Sequence, residues 1–231
     1  MTGRTGALRA WSALTAVISL AAVVLQLALV LAGVRPDFVP ADSSVSSGRA
    51  VVQFFSYFTI ESNLLVVLTC TRLALRPARP TGVWRVLRLA AVVGITVTGL
   101  VYGVLLGPYL TYSGLNAVAN AGLHHVTPLL ALLGCLLLEP RGWIDAGVVG
   151  RALLWPAAYV VWILGYGAAT GWYPYPFVDV SRLGYPVALR NGLGLAVLIA
   201  LVALAAWALD RRLSRSHRPD HERQHQRGRD Q

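Results

Sequence analysis

A threonine hydroxyl and an imidazole are the pair with chemical potential in this 231-residue sequence. Thr59 lies within "FFSYFTIESNLLVVLTC", residues 54 to 70, an apolar run that carries Ser56, Thr59, Glu61, Ser62 and Asn63 in its middle. His124 lies in another apolar run, where Asn116, Asn120, His124 and Thr127 recur at intervals of four, four and three. On a helix Ser56, Thr59 and Asn63 share one face, Ser62 borders it and Glu61 points elsewhere, while the Asn, His and Thr set forms a second stripe. A hydroxyl is a weak nucleophile until a base removes its proton. The spacing therefore points to His124 as general base for Thr59, with Asn63 or Asn120 donating to an oxyanion or orienting the ring. His125, about 100° further round the helix, competes for the role of base. Such stripes also hold membrane helices together through hydrogen bonds worth about 0.6 kcal/mol each, so a purely structural reading stands beside the catalytic one.

The elements that must position these groups follow from composition. Apolar residues make up 56% of the chain and charged ones 13%, which excludes an ordinary soluble domain and places the chain among multi-spanning membrane proteins. Six runs have the length of a span: about 10–34, 50–72, 84–108, 115–138, 150–172 and 187–209. The first is too long for a cleavable signal segment and is expected to remain as a helix. The fold class is all-α, a polytopic bundle of six transmembrane helices over 1–211. A basic tail, 212–231, is expected to be disordered. No tandem repeat is visible.

The net charge of +10 invites a nucleic-acid reading, but all twenty basic residues are Arg and they cluster between the runs and in the tail. Two fall in the N-terminus, five in 72–88, two in 139–151 and seven after 210, against Arg35, Arg49, Arg182 and Arg190 on the other side. That asymmetry places both termini in the cytoplasm of a multi-pass plasma-membrane protein. Thr59 and His124 then each lie nine residues into a span entering from outside, roughly 13 Å deep, where they could meet. Glu61, at similar depth, has to be neutralised by a proton or by an inward-facing partner, Arg190 being one possibility. The partners expected are membrane lipids, with anionic headgroups near the tail, and no nucleic acid. Cys70 and Cys135 lack CxxC spacing, and His217, His221 and His225 lie in a tail that Pro219 keeps from being helical, so neither a metal nor another cofactor is expected.

At "FFSYFTIESNLL", "LHHVTPLL" and the outer turn "GWYPYPFVDV", the chain resembles a family of bacterial six-helix membrane proteins. These are distantly similar to the eukaryotic androgen-induced membrane proteins, which hydrolyse esters of hydroxy fatty acids. The resemblance implies a lipid-ester hydrolase whose active pair is Thr59 in "YFTIESN" and His124 in "LHHVTP". It departs from the bacterial pattern at Glu61, where that pattern has Gln, and at Gly134 and Cys135, where it has Asp-Trp. A non-catalytic protein that binds or transports a lipid or other small molecule, with Glu61 carrying a proton, is the alternative from a different functional class.

Overall fold

A chain inside a bilayer has to satisfy every backbone N–H and C=O within itself, and these apolar runs do so as helices. The computed structural model describes residues 2–34 and 47–216. Six helical spans in it are long and apolar enough to cross a membrane: Gly3–Leu31, Phe58–Leu75, Val83–Tyr109, Gly114–Leu137, Ala146–Thr170 and Val180–Ser214. No strand occurs among the described residues. The chain is an all-α, multi-spanning membrane protein.

Its surface is apolar and much of its interior is polar, the inverse of a soluble fold. Val17 and Leu193 face outward, whereas Ser19, Asn63 and Thr127 are fully buried. Residues 35–46, together with the tail from residue 217 that holds the three spaced histidines and the expected headgroup contacts, lie outside the described residues. The last helix, Val180–Ser216, runs several residues beyond the predicted end at 209.

The predicted span 50–72 is not one helix. It divides into α1 (Ser47–Phe55) and α2 (Phe58–Leu75), with Tyr57 extended at φ −82°, ψ 126° between them. Breaking a helix in a membrane releases backbone groups that need new partners. Span five provides them: the Tyr159 hydroxyl donates to the Ser56 carbonyl at 3.1 Å, and Trp162 Nε1 donates to the Ser56 hydroxyl at 2.9 Å. Ser56 therefore anchors the break and leaves the face shared by Thr59 and Asn63, contrary to the single-helix expectation.

The two termini meet at one end of the bundle, here the terminal end. The Arg4 guanidinium reaches the Leu137 and Leu138 carbonyls, and the Asp210 carboxylate accepts from the backbone N–H of Gly142 at 2.8 Å and Ile144 at 3.0 Å. Arg88, counted above among the loop arginines, is instead buried in span three with 3% of its surface exposed. It is paired with Glu139, whose carboxylate accepts from both Nε and Nη2, and Nη1 donates to the Thr69 hydroxyl at 3.2 Å. A sliding count of charge cannot distinguish a solvated arginine from one that turns inward to a carboxylate fifty-one residues away.

Removing one member of a buried ion pair strands the other, at a cost of about 3–5 kcal/mol, while replacing both with apolar groups is close to neutral. Arg88→Met is expected to lower the unfolding free energy by that amount, and Arg88→Met with Glu139→Leu to recover most of it. Tryptophan fluorescence during unfolding in mixed detergent and dodecyl sulfate micelles measures both.

Candidate active site

Thr59 owes its position to the break in span two. It is the second residue of α2, so it lies in the first turn, where backbone N–H groups have no partner within the helix. The Tyr57 carbonyl takes the N–H of Ile60 at 2.9 Å and of Glu61 at 3.1 Å. That leaves the amides of Phe58 and Thr59, at the positive end of the helix dipole. The Thr59 amide is met by the Tyr175 hydroxyl, which accepts from it at 3.3 Å. Burial pushes the Tyr175 hydroxyl above the ordinary phenol range, so it keeps its proton.

Tyr175 belongs to the turn between spans five and six. Its edge contacts with Tyr57, at 5.7 Å between ring centroids, and its stack on Phe177, at 5.2 Å, hold the ring over α2. The neighbouring Tyr173 closes on Gly167, where a β-carbon would come within 2.1 Å of the ring; only glycine permits that approach.

His124 is set by a different device. Span four widens to a π turn over Gly122–Val126, in which the Thr127 N–H bonds back five residues to the Gly122 carbonyl. Such turns free a carbonyl for other donors and recur at functional sites. His124 Nδ1 lies 3.2 Å from the Asn120 carbonyl. A carbonyl only accepts, so in the neutral ring Nδ1 carries the proton and Nε2 is left with a lone pair. Nε2 is the atom that lies 3.3 Å from the Thr59 hydroxyl oxygen. This is the tautomer a general base needs, and catalytic contacts of this length commonly shorten when substrate binds.

The ring's plane is fixed by Tyr102, which stacks on it at 4.1 Å between centroids and stands at the start of a second π turn, Tyr102–Leu106 in span three. Asn120 holds Tyr102 in turn, its amide donating to the phenol oxygen at 2.6 Å. His125 is exposed and meets the edge of the Tyr102 ring, while His124 takes the place beside Thr59.

The two asparagines hold the pair in place. The Asn63 amide is occupied by the Thr59 carbonyl at 2.8 Å and the Leu123 carbonyl at 3.3 Å, and its oxygen accepts from Ser19 at 3.0 Å. Asn63 is thus the bolt that fixes spans one, two and four together behind the pair. The Asn120 amide gives one of its two N–H groups to Tyr102, and its backbone carbonyl holds His124 Nδ1, so this residue orients the ring. Glu61 finds Trp155 Nε1 at 2.8 Å, and Arg190 is exposed. Among the described residues no three His, Cys, Asp or Glu side chains come together as a metal site.

Two cavities meet at the pair. One, of about 220 Å³, lies toward the end away from the termini and is bordered by Gln26, Gln53, Tyr57, Tyr112 and Asn120; the other, of about 500 Å³, runs between spans three, five and six. Thr59, Tyr102, Leu106, His124 and Tyr175 border both. Sequence reasoning missed Tyr102 and Tyr175. The signals available were a tyrosine inside the apolar run 84–108 and another bracketed by Pro174 and Pro176. No family model, curated protein or solved structure matches the chain.

Asn63→Ala takes the amide donor from the Thr59 and Leu123 carbonyls and leaves Ser19 only the residue-63 backbone carbonyl, which costs about 1–3 kcal/mol. A lower midpoint of thermal unfolding in detergent is the expected result, with the α-helical circular dichroism of the native state retained.

Proposed function

We propose that the chain is an intramembrane hydrolase of lipid esters in which Thr59 is the nucleophile and His124 the base. The observation that carries this reading is the Thr59 Oγ1 to His124 Nε2 contact of 3.3 Å, made by the one ring nitrogen that the Asn120 carbonyl leaves unprotonated. The resemblance to the androgen-induced hydrolases implies the same pair.

Attack by the Thr59 oxygen on an ester carbonyl forms a C–O bond as the hydroxyl proton passes to Nε2. Negative charge then develops on the former carbonyl oxygen. The Tyr175 O–H is its donor, polarised by the Thr59 amide from which its oxygen accepts, so the positive end of the helix acts through the phenol. Collapse of the tetrahedral intermediate breaks the bond to the alcohol, which takes the proton from Nε2. Water, deprotonated by the same nitrogen, then releases the carboxylic acid and restores Thr59. The Asn120 carbonyl takes the place of the carboxylate in a Ser-His-Asp triad, holding Nδ1–H and the ring's orientation. No step in this route draws on a metal or organic cofactor.

The arginine asymmetry supports a plasma-membrane orientation with the smaller cavity facing outside, from which water enters. The transport alternative asked Glu61 to carry a proton beside the bound molecule. Glu61 borders neither cavity and is held by Trp155, which favours the hydrolase.

In proteoliposomes, release of fatty acid from an ester lipid is expected to fall about 10²–10⁴-fold in His124→Ala. Thr59→Ala is expected to abolish both turnover and labelling by an acyl-reactive fluorophosphonate. Tyr175→Phe keeps the ring but not the donor, and a loss of about 10²–10³ in kcat with little change in KM is expected. Unchanged turnover in Thr59→Ala would refute the reading.

A further inference from the structure

The two cavities that share Thr59 and His124 are chemically unlike, and an ester bound at Thr59 has two unlike limbs. We propose that the larger cavity is the acyl subsite, taking one straight hydrocarbon chain directly from the bilayer, and that the alcohol limb and water occupy the smaller one; this rests on the hydrolase reading above.

In the larger cavity the polar side chains, Thr59, Thr98, Tyr102, His124, Tyr159 and Tyr175, belong to the region of the nucleophile, and the rest of the lining is apolar. On span six that lining extends from Ala188 to Ala200, roughly 18 Å along a helix and longer than the ~15 Å hydrocarbon depth of one leaflet. Val160, Leu189 and Leu193 line it and are also exposed on the membrane-facing surface, so the cavity opens sideways between spans five and six. A lipid chain can enter there without crossing water.

The smaller cavity has the opposite character. Asn120, itself buried with 8% of its surface exposed, and Gln26 both line it, and Asn120 Oδ1 and Gln26 Nε2 are buried without a hydrogen-bond partner. One seeks a donor and the other an acceptor. A hydroxyl, either of the departing alcohol or of the incoming water, supplies both. The order of events requires this division. The group that leaves has to vacate the place from which water attacks, while the acyl limb stays fixed to Thr59.

The test uses nitrophenyl esters of butanoic and hexadecanoic acid with full-length protein in detergent. A β-carbon at Gly192 meets open space, so Gly192→Leu narrows the larger cavity without a clash. It is expected to lower kcat/KM for the hexadecanoate at least about tenfold and to leave the butanoate within about twofold. Ala50→Phe, in the smaller cavity, is expected to keep the wild-type ratio of the two esters. Equal effects on both esters in Gly192→Leu, no effect on either, or loss of the long ester in Ala50→Phe would overturn the assignment.

A second readout separates this proposal from the hydrolase reading. Hexadecanoic acid bearing a terminal diazirine is expected to crosslink to spans five and six, and Gly192→Leu to suppress it. That outcome upholds the chain-binding site even if wild type hydrolyses neither ester. Crosslinks spread over the whole membrane surface, or confined to the smaller cavity, refute it.

Discussion

The bilayer supplies no hydrogen bonds, and the break in span two is where this structure confronts that constraint most directly. Stopping a helix at Phe55 and restarting it at Phe58 exposes backbone polar groups that lipid cannot solvate. Aromatic side chains meet several groups at the break, Tyr159 the Ser56 carbonyl, Trp162 the Ser56 hydroxyl and Tyr175 the Thr59 amide, while the Ser56 and Tyr57 amides bond back to Val52 and Phe54. The aromatic turn between spans five and six is therefore more than an interfacial anchor. It completes the helix start that holds the nucleophile, and so the catalytic proposal and the stability of the fold depend on the same contacts.

The two ends of the bundle use polarity differently. At the terminal end Arg88, Glu139 and Asp210 are fully committed to one another or to backbone, and the interior is filled by Trp143 and its apolar neighbours. At the opposite end the polar groups border empty volume, and two of them have no protein partner. Buried polar atoms without partners are costly, and a fold keeps them where something else completes them. One end thus fixes the spans, and the other leaves polar groups facing open volume, which is the division the proposed hydrolase calls for.

The six spans were legible because each is a continuous apolar run, and the meeting of Thr59 with His124 was legible because equal distances along two spans of the same direction mean equal depth. The rest was not, for physical reasons. "FFSYFTIESN" contains no proline or glycine, so nothing local marks the break; its cause is the set of aromatics more than a hundred residues away that reward it. A π turn likewise has no simple sequence signature. Its effect is to put an extra residue into the turn at Gly122–Val126, so that Thr127 leaves the regular register of Asn116 and Asn120. Arg88 was misread because its partner is distant in sequence, and the Trp155 N–H that Glu61 receives comes from a residue ninety-four positions away.

The relation among Asn120, Tyr102 and His124 explains how a base can work here without the carboxylate that usually orients it. A carboxylate beside the imidazole would be a second charge to bury, at a cost of several kcal/mol in a membrane interior. A backbone carbonyl carries no net charge, so holding Nδ1–H with it buries no second ion. It still dictates which nitrogen holds the proton, because it can only accept. What it cannot do is fix the ring against rotation about the bond to the backbone, and the stacked Tyr102 does that, held by the same residue whose carbonyl sets the tautomer. Asn120 thus acts with its carbonyl on one ring and its amide on the other, and the base is oriented by dipoles that remain neutral throughout.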